Sequence, residues 1–249
     1  MTRFADAGHP GTWMQMMRSA VEAGCDSARS LEAAAQATAS AIHEAFREST
    51  VLVRLFATIL AGELPSDIRA AAAQLAAPSG YALVPETPVL ALLGTAGVEE
   101  GWRSRRRSRG HAGIPLVSSA FVAAIPMMAR VLEELGVDLK AFDASDRQPY
   151  VEAGLFRSGA FHVPDAATAT DAHGRKVISA QDFVRQYSVV TVFGAGAAFL
   201  GTPVTTTLIC FTRDALEPGV SQAALTGLSH FRALTQRLVN DRQLFNAGT

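Results

Sequence analysis

The stretch VVTVFGAGAAFLGTPVTTTLICFT, residues 189–212, limits the fold more than any other part of the chain. Its glycine pattern invites comparison with a dinucleotide loop, which needs a strand, then G-x-G-x-x-G, then a helix whose free N–H groups face a pyrophosphate. Gly194 and Gly196 supply G-x-G, but Phe199 stands where the third glycine belongs. The run that follows, VTTTLICFT, is dense in β-branched residues and fits a strand rather than a helix. Two strands joined by a loop containing Gly194, Gly196, Gly201 and Pro203 form an antiparallel hairpin, which turns the chain away from a parallel, doubly wound sheet.

Other periodic segments fill in the architecture. TVLVRLFATIL, residues 50–60, places Val51, Val53, Leu55, Ala57 and Ile59 on one face and Leu52, Arg54, Phe56 and Thr58 on the other. It predicts a strand whose second face is only partly polar. TPVLALLGT is a second, short apolar strand ending at Gly94. Helical spacing is carried by Trp13, Met16, Met17 and Ala20 over residues 12–24, and by Leu31, Ala34, Ala35, Thr38, Ile42 and Phe46 after a capping Ser30. An alanine-rich helix follows Pro65 and stops near Pro78 and Gly80. Phe121, Ile125, Met128, Leu132 and Leu135 make a further stripe, either kinked at Pro126 or restarted there. Residues 140–180 read as a long connection with one or two edge strands. A helical turn at residues 181–186 precedes the hairpin, and an amphipathic helix over residues 218–240 closes the chain.

The expected class is therefore α+β, a central antiparallel sheet flanked by helices, with amphipathic N- and C-terminal helices. One domain over residues 1–249 is expected, comprising N-terminal helices to residue 48, a sheet-containing core to residue 216 and the C-terminal helix. The helix leading into VLVRLFATI, the late hairpin and the closing helix together resemble the GAF and PAS superfamily of small-molecule sensor domains. That resemblance implies a ligand pocket on one face of the sheet. It also implies terminal helices that carry a signal and often dimerise.

Hydrophobic residues form 49% of the chain and charged residues 18%, with a net charge of −1, so any electrostatic specificity must be local. Two cysteines make no disulfide framework, the opening residues lack a signal-peptide pattern, and no run is long enough to span a bilayer; a cytoplasmic setting is expected. WRSRRRSRGH, residues 102–111, places Arg103, Arg105, Arg106, Arg107 and Arg109 within seven positions. Arginine forks match carboxylate and phosphate, so the segment suits an anion or an acidic partner, although a solvated loop is the plainer explanation. Aromatic interleaving is limited to Trp102, and nucleic acid is not expected as a partner.

Alternative chemistries leave weaker traces. His43-Glu44 resembles the start of a histidine-kinase phospho-acceptor box but lacks its Thr-Pro, and the same residues form no H-E-x-x-H. His162, Asp165, Asp171 and His173 have ligating side chains at no metal-site spacing. G-x-S-x-G and the P-loop are absent. The resulting expectation is a sensory or regulatory module of bacterial-type signal transduction rather than an enzyme. It binds a small molecule, with an anionic one admitted, between the sheet and residues 102–116 and relays the event through its terminal helices to a homodimer partner or downstream protein. Arg54, Trp102, Arg109, His111 and Phe193 are the expected ligand-binding residues; no metal or catalytic residue is assigned, and the cofactor is unspecified. The alternatives are an enzyme using scattered histidines and arginines, or an interaction protein docking an acidic partner through the arginine run.

Overall fold

The computed structural model describes residues 3–4, 10–108, 111–143 and 158–246. Among these, six strands form one sheet in the order β3-β2-β1-β6-β5-β4, and every neighbouring pair is antiparallel. The strands are β1 Thr50–Leu60, β2 Pro88–Gly97, β3 Gly113–Pro115, β4 Gly159–Val163, β5 Thr191–Ala198 and β6 Thr205–Thr212. The helices are α1 Pro10–Cys25, α2 Leu31–Ala45, α3 Ser66–Ala76, α4 Ser119–Ala123, α5 Pro126–Glu134, α6 Gln181–Tyr187 and α7 Gly219–Asn240. This is an α+β architecture with a central antiparallel sheet. The long run of residues 50–60 lies at its middle, between β2 and β6.

The sheet is covered on both sides. On one face Val53, Leu55, Ala57 and Ile59 of β1 pack with Phe193, Ala195, Leu208 and Cys210 beneath α1, α2 and α7. Those three helices contact one another, so their apolar stripes form an inner layer rather than an unpartnered surface. Ser30 caps α2 by accepting from the Ala33 N–H at 3.0 Å, as its place before the apolar run predicts. The opposite face, with Leu52, Phe56, Leu92, Val192, Ile209 and Phe211, is roofed by α5, Val137, Phe142 and the segment around Val177, Ile178 and Val184. Because both faces are buried, Arg54 is not a solvent-facing strand charge; it is 9% exposed.

Three sequence expectations need correction. Gly194 and Gly196 lie inside β5, not in the connecting loop. A Cβ at Gly194 would run into the Leu208 carbonyl and the Phe161 ring, and one at Gly196 into Leu135, so these glycines admit β4 and the end of α5 against the sheet. The turn itself uses Gly201, at φ 68°. The strand expected to end at Gly94 runs on to Gly97 as β2, and it pairs with the edge strand β3, too short to show a period. Val51 belongs with the opposite face to Val53, because the β1–β6 register shifts between Thr50 and Leu52. The restart at Pro126 follows the expectation: α4 ends at Ala123, and the proline occupies the first turn of α5.

Candidate functional site

A cavity of about 290 Å³ lies between the second face of the sheet and its roof. Its floor is built by strand parity. In the antiparallel register Arg54 of β1 stands opposite Ile209 of β6, and Leu52 opposite Phe211, so these side chains point to the same side as Phe56. The walls come from Trp102 and Ile114, from Ile125, Met127 and Met128 around the start of α5, and from Ile178, Ser179, Ala180 and Phe183. Trp102, Phe183 and Phe211 make a continuous aromatic wall, with Tyr187 packed against Trp102 and Phe183. The ring centroids are 5.7 Å apart for Trp102–Phe183, 4.9 Å for Trp102–Tyr187 and 5.4 Å for Phe183–Phe211, all edge-to-face. The Tyr187 hydroxyl donates to Glu99 Oε1 at 3.1 Å, fixing the outer end of the wall.

Arg54 is the polar centre of this lining. Its Nη2 donates to the Ser108 hydroxyl at 3.1 Å, and its Nε–H is buried without an acceptor. Among the described residues no carboxylate pairs with it. Burial lowers its pKa to about 10, which leaves it charged at neutral pH. His111 lines the cavity and is solvent-exposed, with its backbone in the left-handed region at φ 55°. A non-glycine residue in that region costs energy that the surroundings must offset. Desolvation by the surrounding protein, with the Arg54 charge as the lesser cause, holds its imidazole below the ordinary histidine range.

The structure brings Arg54, Trp102 and His111 of the expected set around one cavity. Arg109 lies outside the described residues. Phe193 is a correction: it points to the other face, fully buried, with its ring edge-on to Phe4 at 5.5 Å. The residue of β5 opposite Ile209 is Gly194, so Phe193 is one position out of phase with Arg54. The aromatic floor is Phe211 instead. Sequence reasoning also missed Ser108 and Phe183; Ile209 and Phe211 were accessible to a parity argument once β1 and β6 are paired.

Of the other described arginines of the basic run, Arg105 is the one built into the fold. Arg105 is buried, its Nε donating to Glu32 of α2 and its Nη1 to Asp67 of α3 at 2.7 Å. Arg107 pairs with Glu100 at 2.8 Å on the surface, and Arg106 is exposed. His43 is buried against Thr50. In the former metal candidate, His162 Nε2 meets the Leu216 carbonyl at 2.8 Å, Asp165 accepts from the amides of Ala167 and Thr168, and Asp171 is bound to Arg175. His162 stands in β4, and Asp165 and Asp171 are bonded within their own loops, so these side chains do not converge. No group of three or more ligating side chains able to hold a metal ion occurs among the described residues.

The crystal structure of the phycoerythrobilin-bound GAF domain from a cyanobacterial phytochrome is similar in overall arrangement, at 11% identity and a TM-score of 0.45, over 94% of this chain and 98% of that one. The ligand named there belongs to that protein. No protein-family model matches the chain. No curated protein matches it either. Among the described residues no helix is long and apolar enough to cross a membrane.

Proposed function

We propose that the chain is one sensory or regulatory domain, cytoplasmic in setting, that binds a small molecule in the cavity over Arg54. The observation that carries this reading is a walled, mostly apolar cavity with a single buried cation on its floor, the usual composition of a small-molecule site. Enzymatic chemistry has less support, because the titratable groups among the described lining residues are Arg54 and His111, and Ser108, the hydroxyl that Arg54 meets, has no general-base partner among the described hydrogen bonds.

A physical route for the output supports the same reading. Ser108, which holds Arg54, lies in the segment anchored by Arg105 to Glu32 in the first turn of α2. The other oxygen of Glu32 accepts from the Asn246 N–H at 2.9 Å. The amides of Leu31 and Glu32 donate to the carbonyls of Gln243 and Leu244, just beyond α7. A ligand that shifts Ser108 acts, in this proposal, on the contacts that seat the C-terminal segment, and through α7 on a homodimer partner or a downstream protein.

Native mass spectrometry of the full chain purified without added ligand, set beside its denatured mass, tests the proposal. A small molecule retained at fixed stoichiometry is expected. A bare protein whose melting temperature no member of a metabolite library raises would overturn it.

A further inference from the structure

Resting on the reading of this cavity as a ligand site, we propose that its ligand is a small monocarboxylate with an apolar body. The carboxylate sits on the Arg54 guanidinium, and the hydrocarbon or aromatic part lies against Trp102, Phe183 and Phe211.

The charge on the floor calls for a counter-ion. Arg54 and Arg105 are both buried, yet Arg105 has two carboxylates and Arg54 has one neutral hydroxyl. Removing a cation from water without a partner is expensive, whereas a paired and hydrogen-bonded one is tolerated. Each guanidinium keeps one buried N–H without an acceptor, Nε of Arg54 and Nη2 of Arg105, so it is the absence of an acid beside Arg54 among the described residues that marks an incomplete arrangement. A planar fork of donors is matched best by a planar, bidentate acceptor.

The rest of the lining selects among anions. Among the described lining residues Arg54 supplies the permanent charge, and His111, held below its ordinary range, is neutral at physiological pH. One positive charge balances one negative charge; a phosphate near its second ionisation would bring more than the site neutralises. Apart from the Ser179 hydroxyl and the Trp102 indole N–H, the neutral lining, with Leu52, Phe56, Ile114, Ile209 and the two methionines, offers little to a hydroxyl-rich body such as a sugar. Flexible methionines beside a rigid aromatic wall suit variable apolar shapes. The volume, about 290 Å³, is at the small end for ligand sites, which run from roughly 300 Å³ upward.

Paired titrations of the full-length protein with benzoate, phenylacetate and hexanoate, each against its primary amide, test the inference through heat of binding and tryptophan emission. At least one acid is expected to bind about ten-fold or more tightly than its amide, the scale of a charge-assisted pair. In Arg54→Met, which keeps the volume and removes the charge, that preference is expected to vanish while amide binding persists. Arg54→Lys keeps the charge without the fork and is expected to hold part of the preference, so it remains informative if the methionine variant fails to fold. Equal binding of acid and amide in the native protein would overturn the carboxylate assignment and leave the cavity reading intact. A preference that survives Arg54→Met would overturn Arg54 as its seat. Failure of every pair, with a bare protein in native mass spectrometry, would overturn both.

Discussion

His43 shows how a single side chain is fixed by its surroundings. It lies on α2, 8% exposed, and its Nδ1 meets the Thr50 hydroxyl at 2.7 Å. That hydroxyl donates to the Phe46 carbonyl at 3.0 Å, so its lone pairs are left to accept from Nδ1–H. Burial, followed by the nearby Arg47 and Arg103 charges, holds the imidazole below the ordinary value of 6.5. The unfolded chain therefore binds a proton at pH values where folded His43 does not. Its stabilising contribution is full above about pH 6.5 and is lost as the pH falls through and below that value. Urea titrations between pH 7.5 and 5 should show stability declining in that window, and His43→Gln should flatten the decline by up to about 1.4 kcal/mol per pH unit. An unchanged slope would assign the acid sensitivity to other groups, His111 first, since its pKa is lowered in the same direction. The place of Arg54 on the face of β1 that lines the cavity was legible at this scale because an arginine inside an apolar strand run stands out. The face taken by Phe193 was not, because parity between strands depends on a register that no residue announces by itself.

At the scale of elements, the contact between α2 and β2 depends on Gly94. A Cβ there would run into the Ala35 carbonyl and the Gln36 amide, both backbone atoms of α2. The bulge that admits the helix lies at the same place, where the β1–β2 register shifts between Leu55 and Phe56. Gln36 closes the gap: its Nε2 donates to the Thr95 carbonyl at 2.9 Å, and its Oε1 accepts from the Thr95 N–H at 3.3 Å. Gly94→Ala is expected to cost about 1–3 kcal/mol in urea unfolding, because backbone cannot yield as a side chain can. Gly101→Ala, whose nearest neighbour is 3.9 Å from the added carbon, should change stability little. Equal costs for the two would show that α2 has room to move. Long periodic elements such as α2, β1 and α7 were readable because many residues vote for one face. The short edge strands β3 and β4 carry three and five residues, too few for a period to emerge.

For the molecule as a whole, Arg105 gives the basic segment the geometry of a strut. Arg105 joins the cavity rim to α2 and α3, and Glu32 ties the same cluster to the segment beyond α7. Arg105→Met leaves Glu32 buried without its cation and is expected to cost about 3 kcal/mol. Hydrogen exchange on that variant distinguishes a strut from a local anchor. Protection should fall together at residues 102–108 and 241–246, which lie at opposite ends of the connection. Loss confined to residues 102–108 would break the proposed route to the C-terminal helix while leaving ligand binding open.

The alternation in residues 50–60, the β-branched runs of residues 189–212 and the capped apolar helices determined the class of this protein. These are local signals, written in the period at which side chains meet a neighbouring layer. Which face each strand residue takes, which arginine is paired and which is left alone, and where the roof stands clear of the sheet were decided by tertiary structure. Arg54 and Arg105 are the same residue type fifty-one positions apart. One meets Glu32 and Asp67 and the other faces a cavity because packing, not composition, sets the distance from a charge to its nearest partner.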